Sequence, residues 1–344
     1  MKAAVFYGPR DIRTEEVEIP KIQDNEILIK VKACGICGSD LHLYKLNMFS
    51  PVLLRPLKEG GIPGHEFSGD VEKVGSKVSG VKEGDRVVAF RNGGMAEYVP
   101  VPFIPPTLEQ ASNIIPIPSE VSYEEAATLE PLSNSYHAMM KGNPSKGDNV
   151  VIFGAGTIGL GIIQCLKALE IDINKLIVID LSDYRLNVAR QLGADEIINA
   201  RKKNPLSNIM KLVESVPLPL MPTLKMPKVD VIYDCVGYMK QHKGPVVLQQ
   251  AINMAIFNTG RIVVHGIFED NISLNMLQFI GKQITIMGSF GFTPDEAKKS
   301  LELLQTKKVD QSKIISHEFP LDKVKEAFET QCNVDESIKV LIKP

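Results

Sequence analysis

The chain has 344 residues, with 39 Lys and Arg against 41 Asp and Glu and a formal net charge of −2. At roughly 100–200 residues per domain, that length makes two domains the expectation. The balanced charge, with no basic block, excludes a nucleic-acid surface, and the apolar runs fall far short of the ~20 residues that cross a bilayer.

The first residues, MKAAVFY, are too short an apolar stretch for a signal peptide. Five cysteines, an odd number in a long chain, do not read as a disulfide framework. A reducing cytoplasm is the expected setting, with thiols free for metal or catalysis. Up to about residue 145, short β-rich runs (26–31, 67–74, 86–90) alternate with Gly, Pro and Asp clusters, the pattern of an irregular β body. Beyond it, strand-like runs at 150–153, 176–179, 229–233 and 261–265 alternate with helical patterns, including 183–192 and 246–257. Alternation of that kind predicts an α/β fold with a doubly wound parallel sheet. The end of the chain offers helices over 294–306 and 321–330 and a last strand over 338–342. Residues 216–227 (VPLPLMPTLKMP) hold four prolines and are expected to form an exposed loop, since proline suits neither helix nor central strand.

The sharpest local signal is VVIFGAGTIG at 150–159. An apolar strand runs into Gly154, Gly156 and Gly159, and a helix opens at Thr157 and Ile158. This is a dinucleotide-binding turn: the glycines permit a tight turn, close approach of backbone N–H groups to a pyrophosphate, and close helix packing. Asp180 ends the next strand, 21 residues after Gly159. An acid there accepts the adenosine ribose hydroxyls and repels a 2′-phosphate, favouring NAD over NADP, while the nearby Arg185 softens that preference. In the first domain, Cys37 lies 28 residues before the His65–Glu66 pair. Thiolate, imidazole and carboxylate are a ligand set for catalytic zinc, which keeps an open position. The same residues also read as a buried thiol and ordinary polar groups, and spacing alone leaves both readings open.

GICGSDLH, GHEFSG, VGSKVSGVKEGDRV, LEPLSNSYHA and GAGTIGLGIIQCLKALE, in that order, resemble the zinc-dependent medium-chain dehydrogenase/reductase superfamily, in the branch of sorbitol, butanediol, threonine and galactitol-phosphate dehydrogenases. The resemblance implies a GroES-like catalytic domain over 1–145, a Rossmann NAD-binding domain over 146–288, and a segment over 289–344 that completes the first. It makes Cys37, His65 and Glu66 the zinc ligands, with Glu130 binding the metal directly or through water. Asp40 would hold His65 by its other ring nitrogen, Ser39 would accept the substrate proton, and His42 would pass it on. Val236 and Gly237, in DCVG, match the family's turn beside the cofactor. Cys34 forms a CxxC with Cys37 and is read as a packed neighbour of the site.

Two departures stand out. Many relatives carry a structural zinc in a four-cysteine lobe; here the chain runs from Phe90-Arg91-Asn92 directly to Gly93-Gly94-Met95, so one zinc per subunit is expected and no structural one. The segment 43–62 between the ligand motifs is long and expected to line the substrate site. The function implied is oxidation of a secondary alcohol of a polyol, cyclitol, diol or sugar derivative with NAD. The alternatives are a zinc-independent quinone or enoyl reductase on the same scaffold and a non-catalytic nucleotide-binding relative. The partners expected are a small alcohol and a second copy of the chain, through an edge strand near 283–289, giving a dimer or tetramer.

Overall fold

The computed structural model describes residues 1–104, 113–218, 221–240 and 244–344. Two compact units emerge, Met1–Pro131 with Thr293–Pro344, and Leu132–Phe292. The boundaries expected near 145 and 288 fall here at 131 and 292; at the first, most of the helix Leu129–Gly142 belongs to the second unit. Among the described residues no helix is long and apolar enough to cross a membrane.

The first unit is built on a sheet whose strands run, in spatial order, Ile315–Pro320, Lys339–Lys343, Glu26–Gly35, Glu66–Val74, Arg86–Ala89 and Ile114–Pro116, with Tyr98–Pro102 also pairing with Glu26–Gly35. Alternation in EILIKVKACG puts Ile27, Ile29 and Val31 into a core shared with Phe67, Val71, Val87 and Phe328. The last strand returns to pair antiparallel with Glu26–Gly35, setting Leu341 opposite Gly35, while Gly35 also faces Glu66. Three strands from distant parts of the sequence therefore meet at one point. The unit is not all-β. It also carries the helices Gly38–Leu46, Tyr123–Ala127, Pro294–Gln305 and Val324–Cys332. The long segment 43–62 folds as the end of the first of these, a one-turn helix Ser50–Leu53 and the paired strands Arg55–Pro56 and Gly61–Ile62.

The second unit is a six-stranded parallel sheet in the order Glu196–Asn199, Lys175–Asp180, Asn149–Phe153, Val231–Asp234, Arg261–Val264 and Thr285–Gly288. Asn149–Phe153 is buried along its whole length, as a central parallel strand requires. Strand order reverses on either side of it, which places the ligand-binding crevice at its carboxyl end, where Gly154 sits. The proline-rich stretch corrects the sequence expectation. Ser215–Leu218 and Met221–Pro227 pair antiparallel as a separate two-stranded ribbon. Both strands of such a ribbon are edges, so a proline that donates no hydrogen bond is tolerated there.

Candidate active site

Cys37 is the residue before the helix Gly38–Leu46, and its amide donates to Asp40 Oδ2 at 3.0 Å. Asp40 is wholly buried, and its other oxygen faces His65 Nδ1 at 3.8 Å. Among the described residues, neither Asp40 Oδ1 nor His65 Nδ1 has a hydrogen-bond partner. With Nδ1 turned to Asp40, Nε2 is the nitrogen left to ligate. One donor atom each from Cys37, His65 and Glu66 lie within 4.8 Å of one another. In a tetrahedral zinc site with bonds of about 2.0–2.3 Å, ligand atoms are about 3.5 Å apart, so these donors need only a small contraction. The residues fit zinc.

Electrostatics follow the same geometry. Burial pulls the His65 imidazole down, but Asp40, Cys37 and Glu130 around it outweigh burial and hold it well above its usual value. Burial lifts the Asp40 carboxyl, opposed by His65 and the Cys37 amide. For a metal to bind at Nε2, that nitrogen must lose its proton, while Nδ1 keeps its own toward Asp40. Glu130 lies outside the tight triad, and its charge reaches both His65 and Lys339. Ser39 and His42 are partly buried on the same helix as Asp40. Cys34 is buried in the hydrophobic core and takes no part in the triad.

Lys339 is a site residue that sequence reasoning misses. It is 2 % exposed, and its Nζ donates to Glu66 Oε2 at 2.7 Å, Glu66 Oε1 at 3.0 Å and Ile36 O at 2.9 Å. Burial lowers its pKa, but Glu66 and Cys37 more than reverse this, so it stays a cation. Space for the Glu66 carboxylate comes from Gly35, where any Cβ would overlap Glu66 Oε2. Glu66 thus joins the Cys37 and His65 group while its carboxylate is held by a buried ammonium. Lys339 is 273 residues from Glu66, so no local pattern flags it. The one signal in the sequence is a charge inside the apolar run of the last strand.

In the second unit, Gly154 has φ +95° and Gly156 precedes the helix Thr157–Ala168. Gly159 has no room for a Cβ against the Gly154 carbonyl. Asp180 accepts from the amides of Ala155 at 2.7 Å and Ser182 at 2.8 Å, so the acid also braces the turn. The Arg185 guanidinium lies 3.7 Å from where a Cβ on Gly156 would stand, beside the phosphate-binding turn. The amides of Val236 and Gly237 donate to Asp234 Oδ1 at 3.0 and 2.9 Å. Val236 also packs against Gly154, so the two turns meet at the carboxyl ends of neighbouring central strands.

Asp234 is fully buried, with Oδ2 unpartnered among the described residues, and burial pushes its pKa up to about 6. Between about pH 4 and 6 the folded chain keeps a proton that the unfolded chain has lost, so stability falls across that window as pH rises. Asp234→Asn keeps the oxygen that accepts the two amides and removes the charge. It should raise stability by about 2 kcal/mol at pH 7 and by little near pH 4, read by denaturant melts at both values.

Family models for the alcohol dehydrogenase GroES-like domain and for zinc-binding dehydrogenase match residues 23–104 and 157–306. Sorbitol dehydrogenase from Rattus norvegicus is 31 % identical, over 98 % of this chain and 94 % of its own. That from Bacillus subtilis is 30 % identical, over 100 % and 97 %. The crystal structure of 2R,3R-butanediol dehydrogenase from Bacillus subtilis superposes with a TM-score of 0.81 at 29 % identity, covering 100 % of this chain and 99 % of that one. An Escherichia coli alcohol dehydrogenase solved with NADH has a TM-score of 0.80 at 26 % identity, covering 100 % of this chain and 99 % of that one. These relatives and the zinc-binding dehydrogenase model make the chain an oxidoreductase acting on CH–OH groups. The chain belongs to the zinc-dependent medium-chain dehydrogenase/reductase superfamily, in its sorbitol and butanediol dehydrogenase-like branch.

Proposed function

We propose that the chain oxidises a secondary alcohol of a polyol, cyclitol, diol or sugar derivative to a ketone, using one zinc per subunit and NAD. The convergence of Cys37, His65 and Glu66 carries this reading. Bound there, zinc would acidify a substrate hydroxyl, and nicotinamide would take the hydride. The chain's own residues supply the rest. Asp40 holds the Cys37 amide and orients His65. Lys339 restrains Glu66 and keeps its charge compensated. Ser39 takes the hydroxyl proton and His42, on the same helix face one turn later, relays it outward. Asp180, at the end of its strand beside the glycine turn, selects the unphosphorylated ribose. A zinc-independent reductase would need none of the three ligand side chains together.

The test is zinc analysis coupled to a screen of polyols, inositols, vicinal diols, threonine and sugar phosphates with NAD and NADP, followed by reduced-nicotinamide absorbance. About one zinc per chain and at least tenfold preference for NAD are expected. Full alcohol oxidation by zinc-free protein would overturn the metal role, and equal rates with NADP would overturn that of Asp180.

We also infer a homodimer, which doubles to a tetramer if a second face pairs. Thr285–Gly288 is the outermost strand of its sheet, and the helix before it exposes Leu277 (75 %) and Ile280 (68 %). Pairing across a two-fold would cover both. Sedimentation equilibrium giving a single chain per particle would refute it.

A further inference from the structure

We propose that Arg55 is a docking cation for an oxyanion carried by the substrate, a phosphate ester or a carboxylate, held on the side-on edge of its guanidinium. The proposal rests on the dehydrogenase reading and narrows its substrate class to an anionic alcohol.

Arg55 opens the short strand Arg55–Pro56 and stands opposite Ile62 in its pairing with Gly61–Ile62. From Ile62 the chain runs through Pro63 and Gly64 into His65, at most about 10 Å of extended backbone. The side chain lies against Gly93, where a Cβ would come within 2.8 Å of Arg55 Nε. The amides of Gly93 and Gly94 donate to the Gly64 carbonyl at 2.9 and 2.8 Å. Asn92, next in line, donates its side-chain amide to the Val52 carbonyl, tying this loop to the helix ahead of Arg55. The guanidinium is therefore seated on the backbone layer that carries the zinc-ligand histidine.

Its donors are idle. Nε and Nη2 are both buried and take no hydrogen-bond acceptor among the described residues. These two nitrogens form one edge of the fork, the edge that grips both oxygens of a carboxylate or phosphate. Arg13 shows that use within this chain, its Nε and Nη2 each 2.8 Å from an oxygen of Asp11. The buried cations Lys339 and Lys282 are compensated: Lys339 has Glu66, and Lys282 donates to the carbonyls of Ile252, Asn253 and Ala255. Among the described residues no carboxylate pairs with Arg55, and burial lowers its pKa with no opposing charge. The residue as a whole is half-buried, but these two donors are closed off from water without an acceptor, and a ligand oxyanion supplies the missing pair.

The experiment uses zinc-loaded protein, wild type and Arg55→Gln, with Arg55→Met as a folding control. Melting temperature is followed against inorganic phosphate and against gluconate. Rates with NAD are then compared for sorbitol, its terminal phosphate ester and gluconate. The expected result is a rise in wild-type melting temperature with one of the anions that Arg55→Gln lacks. The kcat/KM ratio of the matching anionic substrate over sorbitol should fall at least about tenfold in the variant. Response to phosphate alone identifies a phosphate ester, and response to gluconate alone a carboxylate. Because the guanidinium has no partner in the free protein, Arg55→Met should melt no lower than wild type; a lower melt would mean that Arg55 is structural and overturn the proposal. So would an equal anion response in wild type and Arg55→Gln, or none in either. If no alcohol is oxidised at all, the dehydrogenase reading fails, while the melting shifts still decide the role of Arg55.

Discussion

Replacing Lys339 by methionine is expected to destabilise the zinc-free protein by about 3–5 kcal/mol, and zinc is expected to restore most of that loss. The physical reason is the burial of the pair: Lys339 is 2 % and Glu66 1 % exposed, and two hydrogen bonds join them. Removing one member of a buried ion pair leaves its partner's charge without compensation, which is where costs of that size arise. Methionine fills much of the lysine volume, so the cavity contribution is small. Zinc binding supplies a new positive partner for Glu66, and the deficit closes. Glu66→Gln behaves differently, because it leaves Lys339 uncompensated and zinc cannot help. The double variant should be less destabilised than the sum of the singles, since neither charge remains. Calorimetry with and without a chelator separates these cases. An equal loss for Lys339→Met in both states would mean that the lysine merely packs the sheet.

Cys37→Ser is expected to abolish stoichiometric zinc and lower kcat/KM on the order of 1,000-fold or more, with the fold intact. Cys37 caps the helix Gly38–Leu46. Serine is among the best residues for that position, so the helix should be as stable or more so. Asp40 still accepts the amide of residue 37, which the substitution leaves in place. What is lost is the thiolate. A metal that stabilises developing charge is worth several kcal/mol, and each 1.36 kcal/mol is tenfold in rate. Unchanged far-ultraviolet dichroism with lost zinc and turnover is the expected pattern. Wild-type activity in a variant holding its full zinc would remove Cys37 from the site.

Much of the fold and of the cofactor site is legible in the amino-acid sequence. The glycine turn with its flanking strand and helix is a local device, and so its residues carry their meaning in their spacing. The strand–helix alternation after residue 145 implies the parallel sheet, because period and burial are written into each segment. The proline-rich ribbon departs from the loop expected there, since the rule that removes proline from central strands says nothing of a two-stranded piece that is all edge. The helix Tyr123–Ala127 does carry a local signal, the capping box of Ser122 and Glu125, but it sits in a stretch whose runs and turns otherwise read as β.

Sequence by itself determined the local chemistry: the phosphate-binding turn, the acid at its expected offset, and the identities of thiol, imidazole and carboxylate. Tertiary structure alone decided which charges share a site. Lys339 reaches Glu66 only because the last strand pairs with Glu26–Gly35, which in turn pairs with the strand of Glu66. Arg55 comes to rest beside the Gly93–Gly64 layer, its side-on donors unused, only through the short strand pair that precedes His65. Periodicity and spacing describe neighbours along the chain. Desolvation and ion pairing act between neighbours in space, and those are set by strand order and register.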